Sequence, residues 1–200
     1  MRSRINIILL TLPYLLLGIG QVWLYFIRES FPDLFDRLEY AKAGWNESHL
    51  ILIVGTILLI QATIILFQTA PEFWWTKIGA TLNYIGICLL TGQYAIDLLL
   101  QPLLTSSQDP KGLYDILKSS ALVNLLFYDL VALLWFGQLF IAIGIIRSKL
   151  TQLRMPMGIY MLGLILLLVG GAIHPIISRV SYFILAAGML LTGVRLQKQD

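Results

Sequence analysis

Two carboxylic acids stand inside long apolar segments of this sequence, and they are the residues whose position most clearly predicts chemistry. Asp97 and Asp129 are each flanked by aliphatic and aromatic residues. An ionisable side chain at such a position is costly to keep in a bilayer and commonly marks a ligand, ion or proton site. His49 opens another apolar segment, so the sequence also offers an aspartate–histidine couple for acid–base chemistry.

Other polar side chains accompany these three residues. Gln93 precedes Asp97 by four residues, and residues four apart lie on one face of a helix. We predict that Asp97 pairs with His49, because the two lie at matched depth on consecutive segments joined by a short loop. Asp129 has no comparable cation, and its predicted hydrogen-bond partners are Gln93, Asn124 or Tyr128. The full set of candidate ligand-binding residues is Asp97, Asp129, His49, Gln93, Asn124 and His174.

The segments that must position these residues are hydrophobic enough to cross a membrane. Hydrophobic residues make up 58% of the 200 residues and charged residues only 12%, against roughly a quarter charged in soluble domains. Spans of about 20 apolar residues match the hydrocarbon core of a bilayer. We therefore predict an all-α, polytopic membrane bundle, a single domain over 1–200 with outer loops 28–48 and 101–120. The six predicted spans are 5–27, 50–68, 78–100, 121–146, 157–173 and 180–194.

The distribution of lysine and arginine predicts the orientation of the bundle. Arg147, Lys149 and Arg154 belong to one loop without acidic residues, whereas acids accompany the basic residues of loops 28–48 and 101–120. Because basic loops stay in the cytoplasm, both termini are predicted to be cytoplasmic. The candidate residues then fall in the outer half of the membrane and predict a polar pocket that opens outward.

The loop 28–48 carries a second pattern. Phe31, Leu34, Phe35 and Leu38 form one apolar stripe at helical spacing, and Pro32 suits the first turn of such a helix. This short helix is predicted to cap the bundle or to lie at the interface. Aromatic residues near the ends of the spans are predicted to be interfacial anchors. They are Trp23, Tyr25, Trp45, Trp74 and Trp75.

The sequence predicts no metal, cofactor or nucleic acid. The single cysteine, Cys88, excludes a multi-cysteine metal site and an internal disulfide. Two outer-side histidines could in principle ligate one haem, but no second pair or supporting motif accompanies them, and no lysine lies mid-span to carry retinal. Positive charge in an integral membrane protein reports topology rather than affinity for nucleic acid.

Short motifs carry a resemblance to a known class of proteins. Ser48-His49-Leu50 opens a helix, Gly55 and Pro71 follow, and the later half contains Arg154-x-Pro156-x-Gly158. In these features 46–102 and 134–195 resemble uncharacterised bacterial six-helix membrane proteins of a domain-of-unknown-function class. The resemblance implies a bacterial inner membrane and six helices, and it carries no activity. Membrane hydrolases of the ceramidase or progestin-receptor type are similar in size, but their zinc site needs more histidines than this chain has.

Three hypotheses for function are compatible with these patterns. The first is a binding or transport module whose outward polar pocket takes a small or lipid-like ligand. The second is a structural or accessory subunit that docks another membrane protein or a second copy of itself. The third is an enzyme that uses Asp97 and His49 as an acid–base pair. The first is the preferred interpretation, and a catalytic role is the least favoured.

Overall fold

Helices account for the architecture throughout the part of the chain that the computed structural model describes, residues 2–198, and no strand occurs within that range. The main helices are α1 (Arg2–Ser30), α2 (Leu34–Tyr40), α3 (Lys42–Thr69), α4 (Trp74–Ser106), α5 (Pro110–Ser119), α6 (Ala121–Asn124), α7 (Ala132–Arg147), α8 (Arg154–Ile173) and α9 (Pro175–Gln197). A π-helical turn, Leu125–Asp129, joins α6 to α7, and a 3-10 turn, Thr151–Leu153, precedes α8.

Six helical segments within residues 2–198 are long and apolar enough to cross a membrane, which confirms the predicted number of spans. They are Arg4–Ser30, Gly44–Thr69, Trp74–Ser106, Ala121–Arg147, Thr151–Ile173 and Pro175–Gln197. Several helices extend beyond the predicted apolar runs, because helical hydrogen bonding continues into polar turns. α3, for example, begins at Lys42 rather than near residue 50.

The six long segments pack as a closed ring in chain order. α1 packs against α3, α3 against α4, α4 against the α6–α7 segment, α7 against α8, and α8 against α9, which returns to α1. Neighbours run antiparallel: Gly44 and Gly55 of α3 face Ile27 and Leu17 of α1, respectively. The loops therefore gather at two ends. We call the end with α2, α5 and His174 the long-loop end, and the end with the loops 70–73 and 148–153 the short-loop end.

Glycines set the closest helix contact in the ring, between α4 and α7. A Cβ at Gly79 would lie 2.6 Å from the carbonyl oxygen of Gly137, and one at Gly137 would lie 2.5 Å from the backbone nitrogen of Asn83. A Cβ at Gly86 would overlap the backbone of Leu134. Small residues allow such backbone contact between membrane helices. These glycines therefore allow α4 and α7 to pack through their backbones.

Two short helices cover the long-loop end. Asp33 caps α2 by accepting a hydrogen bond from the Phe35 amide at 2.8 Å. The helix therefore begins after Pro32, whereas the sequence had predicted Pro32 in its first turn. Leu38 on the apolar face of α2 is buried against the core, which agrees with a capping helix. α5 begins similarly, with the Asp109 carboxylate accepting from the Gly112 amide at 2.9 Å.

Candidate functional site

The predicted aspartate–histidine couple lies between α3 and α4 toward the long-loop end. His49 is fully buried and Asp97 is 8% exposed. The His49 Nε2 atom lies 3.8 Å from the Asp97 Oδ2 atom. Antiparallel packing of α3 on α4 brings the two residues to one level, as their sequence depths predicted.

The partners of the imidazole determine where its protons lie. The Nδ1 atom is 2.7 Å from the carbonyl oxygen of Trp45. A carbonyl only accepts hydrogen bonds, so Nδ1 carries a proton and donates it. The opposite nitrogen, Nε2, is buried without a hydrogen-bond partner and faces the carboxyl group of Asp97.

Trp45 holds both members of this pair in place. Its indole Nε1 donates to the backbone carbonyl of Asp97 at 2.9 Å, and its own carbonyl accepts from His49. The indole and imidazole rings lie against each other with centroids 4.4 Å apart. Trp45 is only 2% exposed, so the prediction that it is an interfacial anchor is wrong. It is a positioning residue for the couple.

Tyr128 connects the couple to the surface of the bundle. Its hydroxyl donates to the Asp97 Oδ1 atom at 3.1 Å, and its side chain is 44% exposed. Tyr128 belongs to the π-helical turn, in which Leu130 N donates to Leu125 O over five residues at 2.9 Å. A π turn inserts one residue into a helix, and such turns are frequent at functional sites. Here it changes which side chains of the segment face α4.

An apolar cleft adjoins Tyr128 at the long-loop end. Its volume is about 230 Å³. Helix α4, helix α5 and the start of the α6–α7 segment form its walls. The lining residues are Ile96, Leu100, Tyr114, Leu117, Lys118, Val123, Asn124 and Tyr128. The exposed ammonium of Lys118 lies 5.9 Å from the centroid of the Tyr114 ring, at the rim. We call this feature the Tyr128 cleft.

The remaining predicted residues are dispersed. Gln93 is half-buried and makes no side-chain hydrogen bond within residues 2–198. Asn124 lines the Tyr128 cleft and donates from Nδ2 to the Lys118 carbonyl at 2.7 Å. His174 is exposed and caps α9, accepting from the Ile176 amide at 3.3 Å. Among the side chains that the structure describes, neither Gln93 nor His174 makes a hydrogen bond to the couple.

Asp129 departs most from the prediction. Its side chain is exposed, and it makes no hydrogen bond to Gln93, Asn124 or Tyr128. The predicted burial and partners of Asp129 are therefore wrong. The cause is the π turn, which alters the phase of the helix at this residue. Spacing based on a regular α-helix could not place the side chain.

Three polar contacts inside the ring could not be predicted from the sequence. Gln21 donates from Nε2 to the Tyr94 hydroxyl at 2.8 Å, which ties α1 to α4 one turn from Asp97. Deeper in the bundle, the Tyr14 and Tyr160 hydroxyls are 2.9 Å apart, and Tyr160 also donates to Gln138 Oε1. Tyrosine within an apolar run gives no signal of its facing direction, so only Gln21 and Gln138 were recognisable as polar positions.

The chemistry that this arrangement allows is proton exchange and polar binding. Within residues 2–198, no group of three or more histidine, cysteine or acidic side chains is placed to hold a metal ion. The couple combines a buried acid with a buried imidazole. Tyr128 links it to a surface cleft, because its hydroxyl donates to Asp97 and its side chain lines the cleft.

Comparison with known proteins adds no homologue. The chain matches no family model, no curated protein and no solved structure. The geometry of its own residues is the basis for any functional conclusion.

Proposed function

We propose that this chain is a multi-pass protein of the cell membrane, of the bacterial inner-membrane type, and that it binds a lipid-like amphiphile in the Tyr128 cleft. The observation that carries the proposal is the double role of Tyr128. Its side chain lines the cleft, and its hydroxyl donates to the buried Asp97 beside His49. A mostly apolar pocket with a few convergent polar groups is the usual form of a ligand site.

The lining of the cleft favours an amphiphile over a compact polar solute. Four of its eight lining residues are aliphatic and two are tyrosines, while the exposed Lys118 supplies a positive charge at the rim. Its volume of about 230 Å³ is below the roughly 300–1,000 Å³ of typical small-molecule sites. The cleft therefore suits a head group and the part of the hydrocarbon chain next to it. An acidic head group would complement Lys118, with its polar atoms directed toward Tyr128.

In the proposed orientation, the long-loop end faces the outside and both termini face the cytoplasm. The support is the charge of the short-loop end, where Arg147, Lys149 and Arg154 follow one another without an acid. Lys149 and Lys111 are both exposed and lie at opposite ends. In a Cys88→Ser background, an impermeant maleimide added to intact cells should label Lys111→Cys and leave Lys149→Cys unlabelled. The reverse pattern would contradict the orientation.

Binding is tested with a spin-labelled stearic acid added to purified protein in nanodiscs. Electron paramagnetic resonance should detect an immobilised fraction that Lys118→Gln and Tyr128→Phe both reduce. Lys77→Gln is the matched control, because Lys77 borders another apolar cleft, of about 280 Å³, at the short-loop end. Equal immobilisation in the wild type and in all three variants would refute binding at the Tyr128 cleft.

A second candidate function, an accessory subunit of a membrane complex, is favoured by one observation. Asp129 is exposed within a segment long and apolar enough to span the membrane. A carboxylate that faces lipid is unfavourable, and a partner protein with a polar or basic side chain would satisfy it. Native electrophoresis in a mild detergent tests this function. An assembly that Asp129→Asn dissociates would support it, while a monomer in both the wild type and the variant would speak against it.

A further inference from the structure

A group of basic and aromatic side chains lies between α1 and α9, at the long-loop end and apart from the Tyr128 cleft. Arg179 stands in the second turn of α9, and its Nη1 donates to the Pro175 carbonyl at 2.8 Å and to Ser178 Oγ at 2.9 Å. Its Cζ lies 5.9 Å from the centroid of the Tyr25 ring on α1. These contacts hold the guanidinium in one place, half-buried between the two helices.

Arg179 lacks a counter-charge among the residues that the structure describes. Arg28 is the charged group near it, and Tyr182, Tyr25 and Tyr94 are neutral phenols. Among the side chains that the structure describes, those of 4–42 and 44–198, the one close acid–base pair is His49 with Asp97. The Arg179 Nε atom is also buried without an acceptor. Burying an N–H of a charged group without an acceptor costs free energy.

Arg28 adds positive charge to the same place. It lies in the last turn of α1, three residues after Tyr25 and therefore on the neighbouring part of the same helix face. Its own side chain is exposed. Burial, and secondarily the positive charge of Arg28, lower the pKa of Arg37 on α2.

We propose that Arg179 and Arg28 form a binding site for an anionic phosphate group, with the head group of an acidic phospholipid as its source. Guanidinium groups bind phosphate oxygens through paired, charge-assisted hydrogen bonds, and the unpaired Nε of Arg179 is a donor for such a bond. Both arginines lie at the ends of membrane-length helices, where the head groups of a bilayer lie. Acyl chains would then follow the apolar sides of α1 and α9.

The test is a titration of purified protein in a non-ionic detergent with dihexanoyl phosphatidylglycerol, dihexanoyl phosphatidylcholine and inorganic phosphate as separate probes. Arg179→Gln should weaken binding of phosphatidylglycerol by about tenfold or more, since a hydrogen bond to a charged group is lost. Arg28→Gln should weaken it less, because Arg28 is exposed. Arg195→Gln is the matched control: it removes the same charge from α9 at the short-loop end and should leave the affinity unchanged.

The outcomes separate the two sources of phosphate and the two sites. Inorganic phosphate that binds as tightly, and is lost in Arg179→Gln, would support the phosphate site with a soluble anion as its occupant. Phosphatidylcholine that binds as tightly as phosphatidylglycerol would overturn the requirement for net negative charge. Unchanged affinity in Arg28→Gln and Arg179→Gln would overturn the proposal. If Arg179→Gln does not fold, Arg179→Lys and Arg28→Gln provide the same test. Tyr128→Phe should not alter the affinity for inorganic phosphate, which has no acyl chain to place in the Tyr128 cleft, so this probe distinguishes the two sites.

Discussion

The α4–α7 pair contains two regions of opposite character. Toward the short-loop end, Gly79, Gly86 and Gly137 bring the two backbones into direct contact. Toward the long-loop end, the π turn replaces regular helix, and the contact is made by the Tyr128 hydroxyl on the Asp97 carboxylate. One pair of helices therefore has a region packed through its backbones and a region joined by polar side chains beside a cleft.

This difference shows how a small bundle can be both rigid and able to bind. Backbone contact through glycines increases the van der Waals attraction between the helices and fixes the distance between them. Irregular helix at the other end changes the facing of the side chains, and the Tyr128 cleft lies beside it. Changes in the glycine region should therefore affect stability alone, and changes around Asp97 should affect both stability and binding.

The largest effect is expected from Gly86→Ala. The added methyl group would overlap the backbone of Leu134, so the helices must separate. Overpacking of this kind costs about 3 kcal/mol. Gly158→Ala is the matched control, since a Cβ there meets nothing within 4 Å. Unfolding of the two variants in mixed detergent micelles measures the difference, and equal stability would contradict close packing at Gly86.

A smaller loss of stability is expected from Asp97→Leu. This change removes the acceptor of the Tyr128 hydroxyl and the group that faces His49 Nε2. The Tyr128 hydroxyl would lose its hydrogen bond and the imidazole would lose the carboxyl group that faces it, at a combined cost of about 2 kcal/mol. Asp129→Leu makes the same chemical change at an exposed position, where no hydrogen bond is lost and a leucine suits the apolar surroundings of the segment, so it should not lower the unfolding free energy. The two losses are compared by the same unfolding assay, and similar losses would contradict the assignment of Asp97 and Asp129 to different environments.

The smallest effect on stability is expected from Tyr128→Phe. It deletes one hydrogen bond to Asp97 and retains the aromatic ring, for a loss of about 1 kcal/mol. Tyr84→Phe on the outer surface of α4 should change the unfolding free energy by less, because the Tyr84 hydroxyl has no hydrogen bond within residues 2–198. A Tyr128→Phe variant as stable as the wild type would mean that this hydroxyl does not support the bundle.

The sequence was sufficient to predict the helices and one contact of the site. Apolar runs of membrane length specify spans directly, and a short loop between two spans fixes their relative depth. Residues near the same ends, such as His49 and Asp97, are therefore predictable neighbours. Close packing at Gly79 and Gly86 was predictable for a related reason, since seven residues make nearly two full turns.

The facing direction of single side chains was not predictable in the same way. Asp129 was placed by regular helical spacing, and the π turn just before α7 invalidates that spacing. Trp45 is an aromatic residue near the end of a span, as interfacial anchors are. It is nevertheless buried, because α2 and α4 cover the start of α3. The role of Tyr128 depends on the same π turn. No residue pattern in the segment 121–131 indicated the π turn.

Photocrosslinking with a diazirine-labelled fatty acid in nanodiscs tests the central claim most directly, because it reports where an amphiphile resides. The binding proposal predicts that crosslinked peptides concentrate in 96–128, around Tyr114, Leu117 and Val123 of the Tyr128 cleft. Crosslinks spread evenly over all six long helices, or concentrated at the cleft beside Lys77, would contradict it.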